Sequence, residues 1–463
     1  MNALYDFATW EPLLRLLRGR HAERLAAPGG HVSGFVRLGA WSVPLRRART
    51  AWGRREGGVD MREEAAAVDR VRHALGPGEQ VSFVLTVDVD GRAELRLYGS
   101  SPAVESGYSA HPGTLVLIEG ALPEPVRRRP ETYPDVRPAP TADPELLART
   151  LRERLPDAIG ATEEDLVRTE ARLGLALPEE LKALYRVTRA RSADHAGGDA
   201  ARARHADAVD GELLDLDRLF VAEPSTRKVS WERGAAEAVR TPPDAAVQGL
   251  IGSPGWLVFA DTGGGDGIAV DLTPGPRGHL GQIVLLDHEQ VIGAGLLADS
   301  LTDFVVRGRR KEDGRRRSGG GEPAVADLYT GGPRGVEAVA HPALEVLSIG
   351  VGHGVAVGLA PLMGLPRLRT LEAQPGTLAD PLEITRLTHL EYLRLGPDDW
   401  RVLLDAGAVP RTLSAASVDS RAGRDPRPML DLADELLALF GRPGIPRTVV
   451  TGDLGPGPSR RGA

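Results

Sequence analysis

Three aspartates, Asp261, Asp266 and Asp271, lie around the glycine run Gly263, Gly264 and Gly265 and are the first candidates for chemistry. Neighbouring carboxylates act as general acid and general base when burial or a charged partner separates their pKa values. The sequence supplies neither condition here. Glycines cradle a phosphate when a lysine and a hydroxyl residue follow them, or when they open a helix. Asp266 and Gly267 stand there instead, followed by IAVDL, which reads as a strand. An EF-hand loop fails too, because Gly263 and Gly265 fill ligand positions and no glutamate closes the loop. A tight turn between two strands is the better reading.

Other chemistry-bearing residues form no defined site. His195, Asp199, His205 and Asp207 are metal-ligand types in a polar stretch, but their spacing matches no metal motif. There is no cysteine, no G-x-S-x-G elbow and no H-E-x-x-H pair. We therefore assign no catalytic, cofactor-binding or metal-binding residue and expect a protein that is not an enzyme. Seven cationic side chains in Arg307–Pro323 could contact phosphates. Without interleaved aromatics for base stacking, that segment reads as a solvated tether, and no nucleic-acid partner is expected.

The elements that must position the aspartates are legible. WLVFA (256–260) is a short apolar run bounded by Gly255 and Asp261, and IAVDL and QIVLLDH follow across glycine-rich turns. Three such segments predict an antiparallel sheet. Upstream, Thr162 precedes Glu163, Glu164 and Asp165, a helix cap with acids in the positive first turn. Asp165 is placed to complete a capping box, Gly174 supplies a left-handed stop, and Pro178 suits the first position of a second helix. Leu181, Leu184 and Tyr185 share one face of that helix.

This arrangement resembles the SUKH superfamily, through LGLALPEELK (173–182) and the tryptophan strand with its GGGD turn (256–266). That superfamily includes fungal Smi/Knr-type cell-wall assembly regulators and bacterial immunity proteins. The resemblance implies a mixed sheet with flanking helices that binds a partner protein and performs no assigned chemistry. Between Ala161 and Val306, 24 acids face 14 bases, while the whole chain carries a net charge of −7. From Trp256 to Val306, seven acids face Arg277 alone. Such a surface steers basic partners and repels nucleic acid. The expected partner is thus a basic effector such as a toxin domain, met by Trp256, Asp261, Asp266 and Asp271. The alternative is a nucleotide- or ligand-responsive regulator that uses the glycine-acid turn.

At 463 residues the chain should divide into about three domains. Residues 1–122 read as a small α+β module whose hairpin turns at Asp90-Gly91, and 123–144 as a proline-rich extended linker. The SUKH-like domain spans 145–306, and 307–323 is a basic linker. In 324–463, Leu362, Leu365, Leu368 and Leu371 recur 22 residues later as Ile384, Leu387, Leu390 and Leu393. That period resembles leucine-rich repeats. The fold class expected overall is α+β. No apolar run is long enough for a spanning helix, and no secretory signal is evident, so a cytoplasmic location is expected.

Overall fold

The computed structural model describes residues 3–44, 59–107, 109–191, 194, 198–308, 323–419 and 425–455. It is an α+β protein with two compact units, one formed by Met1–Ala121 together with Ala324–Ala463, the other by Leu122–Pro323. His195 and most of the basic 307–323 segment lie outside the described residues.

The first unit holds two sheets. In one, strands Gln80–Val87 and Arg92–Tyr98 form the expected hairpin, with Gly91 at φ +93° in the turn. Val81, Phe83 and Leu85 alternate into the core beneath Trp10, whose ring meets Phe83 edge-on at 5.4 Å. The second sheet stacks five parallel strands, Val325–Tyr329, Val346–Gly350, Thr370–Ala373, Tyr392–Leu395 and Ala415–Val418. Leu347, Leu371 and Leu393 share one register position and are all fully buried. The 22-residue period is therefore one parallel strand per unit, returned through 3-10 turns at Ala360–Leu362 and Pro381–Arg386.

The two ends of the chain do not form separate modules. Thr114–Val116 pairs antiparallel with Ala415–Val418, and Arg447–Asp453 pairs along the whole of Arg92–Tyr98. Leu115 and Leu117 enter the same apolar cluster as Leu371 and Leu393. The physical reason is closure. A stack of so few parallel strands leaves an open edge, and the early strands satisfy its backbone groups.

The second unit is built on an antiparallel sheet ordered Gly295–Ala298, Gln282–Leu286, Gly267–Asp271, Trp256–Asp261 and Glu212–Leu213, with Phe220–Val221 also paired to the tryptophan strand. Thr162 and Asp165 complete the capping box, and Gly174 closes the Glu163–Leu173 helix at φ +69°. Pro178 is the cap and not the first helical residue, since the next helix is Glu179–Val187. Leu181, Leu184 and Tyr185 are buried there, and the Tyr185 hydroxyl donates to the Leu214 carbonyl at 2.7 Å. Part of the polar stretch is helical, Gly198–Val209, and carries His205 and Asp207.

The proline-rich segment is strapped to this unit rather than free. Gln248 accepts from the Glu131 amide at 2.9 Å and donates to its carbonyl at 2.7 Å, while the Leu280 amide donates to Arg137 at 3.0 Å. Proline removes donors but leaves carbonyls, and buried side-chain amides use them.

Glu180, inside the LPEELK step, explains part of the helical signature. Its buried carboxylate accepts from the Thr302 amide at 2.9 Å, the Thr302 hydroxyl at 2.5 Å and the Leu301 amide at 3.3 Å. It thus caps the start of the Leu301–Arg307 helix from another element. Glu180→Gln keeps the shape but weakens charge-assisted bonds, so the urea midpoint of this unit should fall by the equivalent of about 1.5 kcal/mol. An unchanged midpoint would contradict this role.

Candidate functional site: the glycine-acid turn and its cleft

The Trp256–Asp261 and Gly267–Asp271 strands deliver the turn that joins them. Asp261 accepts from the Gly263 amide at 2.6 Å, the Thr262 amide donates to the Asp266 carbonyl at 3.0 Å, and Gly263 and Gly265 take φ of +81° and +99°. Side chains are strained at such angles, which is why glycine stands there. The turn is a solvent-facing tip whose glycines are exposed.

Asp266 ties that tip to the next loop. Its carboxylate accepts from the His288 amide at 3.0 Å and meets the His288 ring Nδ1 at 2.6 Å. The hydrogen bonds from His288 hold Asp266 below the usual carboxylate range, and the same contact raises His288. An ionised, satisfied carboxylate is a poor general acid. The signs define a window: the Asp266 contribution is lost as pH falls through its depressed value, and the His288 contribution as pH rises through its elevated one. The His288 titration followed by NMR should have its midpoint above 6.5, and Asp266→Asn should lower it. A midpoint indifferent to the substitution would refute the clasp.

The four residues expected to meet a partner divide. Trp256 is 0% exposed and Asp271 is 0% exposed, so neither reaches a partner. The tryptophan strand is buried on both faces, and Asp271 pairs with Trp256 across the sheet. Asp271 accepts from the Thr273 amide at 2.9 Å and the Gln282 side-chain amide at 2.9 Å, and burial lifts its pKa to about 6. That perturbation comes from enclosure, since the carboxylate is fully buried. Asp261 and Asp266 stay at the surface of the turn.

Beside the turn opens a cleft of about 280 Å³ whose walls include Phe220, Arg227, Lys228, Val229, Arg233 and His288. The sequence reading passed over these residues. The signal available was a basic pair, Arg227-Lys228, with Arg233 close behind in an otherwise acidic domain. Among the described residues, Asp266, Asp287 and His288 bring three ligand-type atoms within 4.8 Å of one another. Asp266 and His288 are bonded to each other, and Asp287 accepts from the Glu289 amide at 2.8 Å, so an ion would have to displace these contacts.

Comparison with known proteins bears on residues 160–307, which match the SMI1 / KNR4 family (SUKH-1) model. The second unit therefore carries a SUKH-1 domain. Over 158 residues it is 27% identical to the cell wall biosynthesis/cell cycle regulator smi1 of Schizosaccharomyces pombe, covering 32% of this chain and 30% of that protein. A glucan synthesis regulatory protein of Neurospora crassa is 36% identical over 63 residues, 14% of this chain and 12% of the relative. A KNR4/SMI1 homolog of Yarrowia lipolytica is 45% identical over 47 residues, 10% of this chain and 7% of the relative. The matched parts span less than a third of each relative's length. The SUKH-1 match contains the capped helix pair, the tryptophan strand, the turn and the cleft. Two of these relatives are named as regulators, one of glucan synthesis and one of cell wall biosynthesis and the cell cycle. No helix among the described residues is long and apolar enough to cross a membrane.

Proposed function

We propose that this protein is a non-enzymatic, protein-binding regulator that uses the SUKH-1 domain as its docking module. In its finer form it is an immunity-type protein that neutralises a basic, toxin-like partner, or an adaptor that scaffolds one. The observation that carries the reading is the clamped tip at Asp261–Gly267, a rigid acid-bearing projection held by His288 and open to solvent. Preorganised turns of this kind lose little entropy on docking, and carboxylates at the rim set the sign of the partner. We also read the parallel coil of the first unit as a leucine-rich-repeat-like second platform.

Capture of the partner from the native host on the full chain tests this. Binding should survive moderate salt and weaken about tenfold with Asp261→Arg combined with Glu212→Arg, the latter an exposed side chain beside the turn. Failure to retain any protein, or indifference to both changes, would overturn the proposal. The ligand-responsive alternative draws on the Asp266, Asp287 and His288 grouping. It requires melting shifts with nucleotide, phosphate or a divalent ion that vanish with Asp266→Ala, and it fails if none is seen.

A further inference from the structure

The cleft beside the turn has a charge opposite to its domain. Several bases elsewhere in this unit are paired with acids, Arg168 with Asp165, Lys182 with Glu170, Arg186 with Glu163, Arg189 with Asp194 and Arg202 with Asp199, while Arg154 and Arg172 are held by backbone carbonyls. The three cations of the cleft have no ion-paired acid among the described residues. Arg227 spends its guanidinium on backbone carbonyls, those of Ile251 at 3.1 Å, Gly293 at 3.2 Å, Asp287 at 2.8 Å and Gln290. Arg233 donates to the Glu289 carbonyl at 3.3 Å, and Lys228 is exposed with no hydrogen bond or ion pair among the described residues. Carbonyls fix a guanidinium in place without neutralising it, so its positive charge remains available to the opening.

The same hollow offers apolar surface. Phe220 is 43% exposed, and Val229, Leu286 and Val291 also line it. A partly exposed aromatic ring beside an unpaired cation is the composition of a recognition pocket, where the ring supplies contact area and the cation orients the guest. Asp266 is bonded to His288, and Asp287, the one carboxylate among the described residues of the cleft's lining, accepts from the Glu289 amide and stands near the half-buried Arg227, which leaves Lys228 and Arg233 to face the opening.

We propose that this cleft binds an acidic segment of a partner protein, with a carboxylate set against Lys228 and Arg233 and a neighbouring apolar side chain against Phe220 and Val229. The inference rests on the domain being a protein-docking module and specifies the chemistry of the docked segment. It adds to the acid-rimmed turn a pocket of opposite sign, so one face reads two charges of a guest. A partner lacking an acidic segment then meets the turn without filling the cleft.

Selection from a random peptide library displayed on phage, with the full chain as bait, tests it. Recovered sequences should be enriched in Asp or Glu next to Phe, Leu or Ile, and a synthetic peptide of that kind, labelled with fluorescein, should bind the wild type with salt-sensitive affinity. Lys228→Glu, which has no contact to lose, should weaken that peptide about tenfold, as should Phe220→Ala. Replacing the peptide's acids by their amides should have the same effect. Enrichment of basic peptides, no enrichment at all, or affinity unchanged by Lys228→Glu would overturn the proposal. Native-partner capture that persists in Lys228→Glu would leave the docking role standing while removing its acid-specific pocket.

Discussion

Trp256→Ala should unfold the SUKH-1 unit's sheet at far lower denaturant, by about 4 kcal/mol, without acting through a partner surface. Trp256 is fully buried at the start of a strand whose residues through Ala260 are all buried, and it stands opposite Asp271 in the paired strand. Truncation removes the largest apolar side chain of this strand and leaves a cavity that a hydrogen-bonded sheet cannot close. Hydrogen exchange of the Trp256–Asp261 amides reads the effect directly, with protection falling by about three powers of ten. Trp256→Phe should recover most of it, because a smaller ring still fills much of the site. A loss under about 1 kcal/mol from Trp256→Ala would mean that the indole is not part of the core.

The pH dependence carried by Asp271 should be the next largest effect. Its pKa rises from 3.8 to about 6 on folding because burial penalises the charge, more than the bonds from Gln282 and Thr273 favour it. The folded state therefore holds the proton more tightly than the unfolded chain. The resulting stability is fully present below pH 4, declines between 4 and 6, and is lost above the folded value. The shift of about two units corresponds to about 3 kcal/mol. Asp165, Glu170 and Asp266 act oppositely, since their depressed values favour folding above the acid range. Comparison with Asp271→Asn cancels those terms. The wild type should lose stability relative to the variant as pH rises from 4 to 7, and parallel stability curves would refute the buried acid.

Local signals carried most of what was legible. The Asp90-Gly91 hairpin, the Thr162–Asp165 box and the Gly174 stop each depend on residues within a few positions, and all three form as their chemistry dictates. The register shared by Leu371 and Leu393 was visible because a repeat writes its geometry into a period. Pairing between Arg447–Asp453 and Arg92–Tyr98 left no such trace. Strand partners separated by most of the chain are chosen by edge satisfaction and shared core, which no local window contains.

The burial of two of the four expected contact residues is hidden in the sequence for a related reason. WLVFA lacks the alternation of a strand with one wet face, and that continuity already indicates burial on both sides. Weighing Trp256 as a contact residue ignored it. Asp271 looked like one more surface acid because its charge is visible in sequence while its enclosure by Gln282 and Thr273 is not. The cations of the cleft were hidden by averaging, since a net acidic domain conceals three bases that folding collects around one opening.

The most direct test of the central claim is hydrogen exchange of the full chain with and without its captured native partner. The account predicts that protection gained on binding concentrates in Asp261–Gly267 and Asp287–Val291, the turn and the cleft wall that the Asp266–His288 contact joins. Protection confined to other surfaces of the SUKH-1 domain, or none within it, would contradict the account.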